Sequence, residues 1–396
     1  MDRRDFLRLG AGAAIGLAAT GARTEARAPL IRRYVRLGRT EMRISDISFG
    51  SSSSADPELV RHALARGINY FDTAESYRWG NSEEAIGEAL KGKRDQVFLA
   101  TKTKAGSGDT HADMMKALEG SLRRLRTDHV DVYFNHAVND VTRLSNPEWR
   151  EFTERAKRQG KIRFRGMSGH GGRLVECLDY ALDHDLADVV LVAYNFSQDP
   201  TFTDKLRHTF HWSAIQPELP RVLEKAKRKD VGVIAMKTLM GARLNDMRPY
   251  EYGGATFAQA AFRWTLSSRH VDALVISMTG KSEIDEFVAA SGDTGLRQGD
   301  RELLRRYAEL QSGTYCRPAC NRCEESCPAG VQIAEVLRAR MYLEDYRDPV
   351  LARAEYAQLG EGASACLTCV RRPCLDACPA GVPIARFTRD AAVKLS

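Results

Sequence analysis

No apolar run in the 396 residues reaches the roughly 18 that a membrane span needs, so the sequence predicts no transmembrane helix. Neither sign of charge dominates: 59 Lys+Arg stand against 52 Asp+Glu, and the surplus of +7 is spread along the chain. The basic runs at 123–126, 157–158 and 225–229 fall on predicted helices and read as solvated outer faces, so no nucleic-acid partner is expected. With 43% hydrophobic and 28% charged residues the composition excludes a collagen-like, low-complexity or largely disordered chain. Cysteine is nearly missing from the first three hundred residues, which hold only Cys177, whereas the other eight lie between Cys316 and Cys378. That asymmetry marks a separate C-terminal module, and the length allows two or three domains.

What the first 28 residues offer is an address. Arg3-Arg4-Asp5-Phe6-Leu7 precedes a short, uncharged, weakly apolar stretch and then small residues, the parts of an export signal. The paired arginines resemble a twin-arginine signal, which implies the twin-arginine export machinery as a partner and a periplasmic location. Gly10-Ala-Gly12-Ala-Ala-Ile-Gly16 nearly matches a dinucleotide fingerprint, but nothing upstream could be the strand such a turn must follow.

From residue 30 to 298, short apolar runs alternate with amphipathic stretches eight times. The spacing predicts strands at 44–50, 69–74, 97–103, 130–137, 162–170, 189–196, 232–239 and 273–278, with helices such as 57–65, 112–126, 147–159 and 257–267 between them. Eight repeats over this length suit an α/β fold of the (β/α)8 TIM barrel kind, with a doubly wound open sheet as the competitor. In a closed barrel the chemistry belongs at the C-terminal ends of the strands. There the second predicted strand ends in Asp72 with Tyr77 just beyond, the third in Lys102, and the fourth in His136.

Singly these are an Asx turn, a loop aromatic, a solvated strand end and a core histidine; at three successive strand ends they converge on one mouth. A phenol is a weak acid at neutral pH, with a reference pKa near 10. A neighbouring ammonium is expected to lower it, and a carboxylate to hold the ammonium. Tyr77 is then the proton donor to a carbonyl oxygen, Lys102 its tuner, Asp72 the anchor and His136 the group that orients the carbonyl, with a nicotinamide as the hydride source.

Leu37-Gly38-Arg39-Thr40, Asp72-Thr73-Ala74 with Tyr77, the run Gly80-Asn81-Ser82-Glu83-Glu84-Ala85-Ile86-Gly87, Lys102 and His136 together resemble the aldo-keto reductase family over most of residues 34–290. The resemblance implies a (β/α)8 barrel in which Asp72, Tyr77, Lys102 and His136 act on a small carbonyl or alcohol substrate with NADP(H). It further implies cofactor contacts from Ser168, Asn195, Lys237, Gly280, Lys281 and Ser282. The second half departs from the family pattern: Gly169-His170 follows Ser168 where an Asn is usual, and Lys237 lies in the segment where an aromatic usually stacks on the nicotinamide. A helix start at Lys281 and Ser282 is itself an anion site.

Residues 299–396 carry Cys316-x3-Cys320-x2-Cys323-x3-Cys327-Pro328 and Cys366-x2-Cys369-x4-Cys374-x3-Cys378-Pro379, each closing on Cys-Pro-Ala-Gly-Val. Soft thiolates this close select iron-sulfur clusters or zinc, and an exported chain could instead form disulfides; neither zinc nor disulfides accounts for the repeated Cys-Pro. The run resembles a two-cluster 4Fe-4S ferredoxin module of a mostly helical kind, although its gaps are wider than the common spacing. That resemblance implies one cluster on Cys316, Cys320, Cys323 and Cys378 and another on Cys366, Cys369, Cys374 and Cys327.

Two functions follow as expectations. One is an exported oxidoreductase whose electrons pass through two clusters to or from a redox partner protein. The other is an iron-sulfur electron-transfer subunit whose barrel is only a scaffold.

Overall fold

The structure is a computed structural model, and it describes residues 28–396 apart from 204–217, 241–246, 252, 255, 312, 318 and 319. The expected export signal at 1–28 lies outside the described residues except for its last, Ala28.

Ten strands are present among the described residues. β1 (Tyr34–Arg36) and β2 (Arg43–Ser45) pair antiparallel as a small hairpin. β3 (Ile47–Gly50), β4 (Tyr70–Asp72), β5 (Phe98–Thr103), β6 (Val130–Asn135), β7 (Ile162–Gly169), β8 (Val189–Ala193), β9 (Gly232–Met236) and β10 (Ala273–Ser277) close into an all-parallel barrel in sequence order, with β10 against β3. Every barrel strand is followed by helix or helical turn, and the strands are buried on both faces, which is why they read as unbroken runs such as Val189-Val190-Leu191-Val192-Ala193. The expected barrel is therefore present, and the open sheet is not.

The first predicted strand, 44–50, is two. Asp46 breaks it: its buried carboxylate accepts from Ser291 Oγ at 2.6 Å and Gly292 N–H at 2.7 Å, leaving β2 to the hairpin and β3 to the barrel. The hairpin plugs the N-terminal end of the barrel, where Leu37, Met42 and Ile44 pack on inward residues including Tyr70, Val132 and Ile234. Gly38 makes the plug possible. At φ +48, a Cβ there would lie 2.2 Å from the Gly232 nitrogen.

Helix Gln298–Gln311 packs on the barrel: Leu303, Leu304 and Tyr307 join the barrel's outer core, with Tyr307 stacked on Phe257 at 4.3 Å. Beyond it the C-terminal region is helical, with its own core from Val331, Ile333, Val336, Val382, Ile384 and Phe387 among others. The sequence repeat is a structural repeat. Each Cys-Pro-Ala-Gly turn sets its glycine, Gly330 or Gly381, at φ +63 and then starts a helix, Ile333–Glu344 or Ile384–Leu395, and these two helices pack together. No helix among the described residues is long and apolar enough to cross a membrane.

Candidate functional site

The C-terminal ends of the barrel strands and the helical module enclose a cavity of about 130 Å³. Asp72 arrives on the last residue of β4, Lys102 near the end of β5, His136 just past β6, and Tyr77 on a helical turn after β4; all four line it. Lys102 Nζ lies 2.5 Å from Asp72 Oδ1 and donates to the Thr73 carbonyl oxygen at 2.5 Å. The same Nζ sits over the Tyr77 ring, 4.9 Å from its centroid, and the Tyr77 and His136 rings meet edge to face at 5.5 Å. Parallel strand register explains the convergence: Asp72 pairs with Ala100 on β5, and Lys102 with Phe134 on β6, so the three strand ends rise side by side.

The electrostatics differ from expectation in one respect. Burial first, then the carboxylates of Asp72 and Glu355, hold the Tyr77 phenol well above its ordinary pKa. The expected acidifying pull of Lys102 is not what the structure shows, because its ammonium is committed to Asp72 and Thr73 and faces the ring of Tyr77. Burial pushes Asp72 up and Lys102 down, against their mutual attraction. His136 is held far below its ordinary value, by burial and then by the cations of Lys102, Lys104, Arg143 and Lys237, so at neutral pH it is an uncharged imidazole. Its Nδ1, like Asp72 Oδ2, is buried with no hydrogen-bond partner among the described residues. A protonated phenol beside a neutral imidazole can together bind a carbonyl oxygen and give it a proton.

The residues expected at the cofactor divide. Ser168 and Lys237 line the cavity. Asn195 does not: its amide donates to the Lys237 carbonyl at 3.0 Å and the Tyr315 hydroxyl at 3.3 Å, and its oxygen accepts from Ser197, so it fastens the loops. Gly280, Lys281 and Ser282 also stand outside the cavity, at the start of helix Lys281–Val288, with Lys281 and Ser282 exposed. There the Glu283 carboxylate already accepts from Thr279 N–H at 2.6 Å, and an incoming phosphate would face that charge.

Sequence reasoning missed what covers the mouth. Tyr342, Tyr346, Asp348, Leu351 and Glu355 of the module line the tetrad cavity, as do His170 and Ser51 to Ser53 of the barrel. Lys104 pairs with Glu355 at 2.6 Å, and Lys237 donates to the Tyr342 hydroxyl at 3.2 Å. The one linear signal was the helical pattern over 334–346, which sets Tyr342 and Tyr346 four apart, although the helix itself ends at Glu344.

The eight late cysteines are free thiols in two groups. Cys323 is surrounded by Cys316, Cys320 and Cys378, and Cys316 by Cys320 and Cys378; burial and these neighbours push Cys316 up to about 12. Cys327, Cys366, Cys369 and Cys374 line a second, mainly apolar cavity, flanked by Pro328 and Pro373. Cys327 thus lies with the thiols of the second run and Cys378 with those of the first. Four soft sulfur donors around one space are a donor set that fits an iron-sulfur cluster.

Comparison with known proteins agrees with this fold. L-galactose dehydrogenase of Arabidopsis thaliana is 25% identical over 309 residues, covering 68% of this chain and 91% of that protein. Methylglyoxal reductase YeaE of Escherichia coli is 36% identical over 132 residues, 33% of this chain and 42% of that protein. In solved structures, an aldo-keto reductase from Klebsiella pneumoniae in complex with NADPH shares the fold with a TM-score of 0.54 at 24% identity, covering 70% of this chain and 95% of that one. The family's sequence profile matches residues 46–252, from the start of the barrel past β9, and the chain belongs to the Aldo/keto reductase family.

Proposed function

We propose that the chain is an exported oxidoreductase that interconverts the carbonyl and alcohol of a small molecule with NADP(H), and that its two thiol groups hold 4Fe-4S clusters serving a redox partner protein. The observation that carries the first half is the assembled tetrad in a water-restricted cavity, with a protonated Tyr77 and a neutral His136. It favours catalysis over the scaffold reading, which needs no such arrangement. The Klebsiella pneumoniae relative solved with NADPH makes NADP(H) the carrier of choice.

NADP(H), when bound, supplies or accepts the hydride. Ser168 and the serines after β3 would meet the nicotinamide end. His136 holds the carbonyl oxygen by an N–H hydrogen bond, and Tyr77 passes its proton to that oxygen as negative charge develops. Lys102, pinned by Asp72 and lying over the Tyr77 ring, keeps the phenol in place for that transfer. The 4Fe-4S assignment is supported by the two four-thiol groups and the repeated Cys-Pro turns. Lys237 and His170 line both the tetrad cavity and a smaller one bordered by Cys316, which puts the first thiol group next to the site. Export and a periplasmic location rest on Arg3-Arg4-Asp5-Phe6-Leu7, and clusters inserted before export suit a route that carries folded proteins.

The test is the composition and turnover of protein purified without oxygen. Iron and sulfide near two 4Fe-4S clusters per chain, an EPR signal on reduction, and NADPH-dependent carbonyl turnover lost in Tyr77→Phe support the proposal. Turnover unchanged in Tyr77→Phe removes the tetrad from the reaction, and iron-free protein removes the relay.

A further inference from the structure

The cavity is lined by one lysine that the tetrad does not use, Lys237. Lys102 and Lys104 are each paired with a carboxylate, Asp72 and Glu355. Lys237 has none within 4.0 Å among the described residues. Its Nζ donates to the Tyr342 hydroxyl at 3.2 Å and lies over the rings of Tyr342 and Tyr346, 4.8 and 5.5 Å from their centroids. Two aromatic faces and a hydroxyl hold Nζ in place with no carboxylate in contact, so a ligand carrying a counter-charge would favour its ammonium form there.

The backbone is committed to this placement. Lys237 sits just after β9 at φ +56, in the left-handed region that side-chain-bearing residues rarely adopt, with its carbonyl held by Asn195. A second, independent group points to the same ligand. His170 lines the cavity, and its buried Nδ1 has no hydrogen-bond partner among the described residues. Tyr77 and His136 serve the carbonyl oxygen, so Lys237 and His170 are free for another part of the substrate.

We propose that Lys237, with Tyr342 and His170, binds a carboxylate, which makes the substrate a small oxo acid, or the hydroxy acid made from it, rather than a neutral aldehyde or ketone. The inference rests on the carbonyl reading above and narrows it. The carboxylate is a spectator: hydride goes to the carbonyl carbon, the Tyr77 proton to its oxygen, and the acid group leaves as it came. The small cavity suits a short chain between the two groups.

The experiment compares pyruvate, 3-oxobutanoate and 4-oxopentanoate with their neutral isosteres butane-2,3-dione, pentane-2,4-dione and hexane-2,5-dione, all with NADPH. At least one acid should exceed its isostere in kcat/KM by about tenfold or more, the scale of a charge-assisted contact. Lys237→Met should erase that preference through KM, and Lys237→Arg should keep most of it. A preference absent in the wild type, or untouched by Lys237→Met, overturns the proposal. So does an equal loss of NADPH affinity, which would make the cofactor's phosphate the anion bound. Thermal melting checks that Lys237→Met is folded, with Lys237→Gln as the substitute if it is not. Calorimetry with the same three acids separates this proposal from the carbonyl reading. If no compound turns over, binding that is lost in Lys237→Met upholds the carboxylate site and sinks the reductase, whereas no binding by the wild type overturns the site itself.

Discussion

Lys104, immediately after β5, and Glu355, on helix Pro349–Tyr356 of the cysteine-rich module, form a 2.6 Å ion pair at the rim of the tetrad cavity. The pair joins the barrel to its cover, and Glu355 also helps to hold the Tyr77 phenol above its ordinary pKa. Glu355→Gln should therefore lower the Tyr77 pKa. Tyr77 donates only while protonated, so the alkaline limb of kcat for carbonyl reduction should move to lower pH. Both partners are about a fifth exposed, so the stability lost should be small, about 1 kcal/mol or less. A pH profile identical to the wild type would show that Glu355 does not reach Tyr77 electrostatically.

The Lys102 and Asp72 pair is a different case, with side-chain exposures of 1% and 5%. Lys102→Met strands a buried carboxylate and should cost about 3–5 kcal/mol of stability together with nearly all turnover. Adding Asp72→Leu removes the stranded charge, and stability should recover while turnover does not. Denaturant melts and initial rates on the two variants separate the structural role of the pair from its catalytic one; turnover that returned with stability would contradict the tetrad mechanism.

Much of this was legible in the sequence because it depends on local pattern. A parallel strand buried on both faces must be a short apolar run, a helix packed on it must be amphipathic, and a strand end in such a barrel must point into the mouth. Asp72, Lys102 and His136 follow from those rules alone. Asp46 did not: a single aspartate inside an apolar run breaks the strand only because Ser291 and Gly292, far along the chain, supply its hydrogen bonds. Asn195 suited a cofactor by its position, yet the Tyr315 hydroxyl and the Lys237 carbonyl claim its amide. The seat of the module over the mouth joins two surfaces through Lys104 with Glu355 and Lys237 with Tyr342, pairs separated by more than a hundred residues and invisible to any periodicity.

The thiol grouping predicts which cysteines act together. Cys327 stands in the first run but shares its cavity with Cys366, Cys369 and Cys374 of the second. Cys327→Ser and Cys374→Ser should thus perturb the same EPR signal and lower bound iron by about half, the loss of one of two clusters. Cys378→Ser should instead perturb the signal affected by Cys316→Ser. If Cys327→Ser disturbed the Cys316 signal, each cluster would belong to one run.

Lys237 should carry a measurable cost in stability. Burial, then the nearby Arg338 cation, push its pKa from 10.5 down to about 7, against the opposing pull of Glu355 and Glu335. In the unfolded chain the ammonium keeps its proton up to about pH 10.4. Between the two values the unfolded state binds a proton that the native state lacks, so raising the pH through that window favours the native fold. Below pH 7 both states are charged and the full cost of burying the ammonium is present. Lys237→Met removes the cost, so its Tm should exceed that of the wild type, with a larger gain at pH 6 than at pH 9.5. Melting curves taken anaerobically and without substrate decide the matter. A gain of the same size at both values would mean that shape rather than charge is responsible, and a loss at both would mean that the ammonium is already satisfied within the protein. A gain confined to the acid side is what a cation held ready for an absent carboxylate should give, with stability given up for binding.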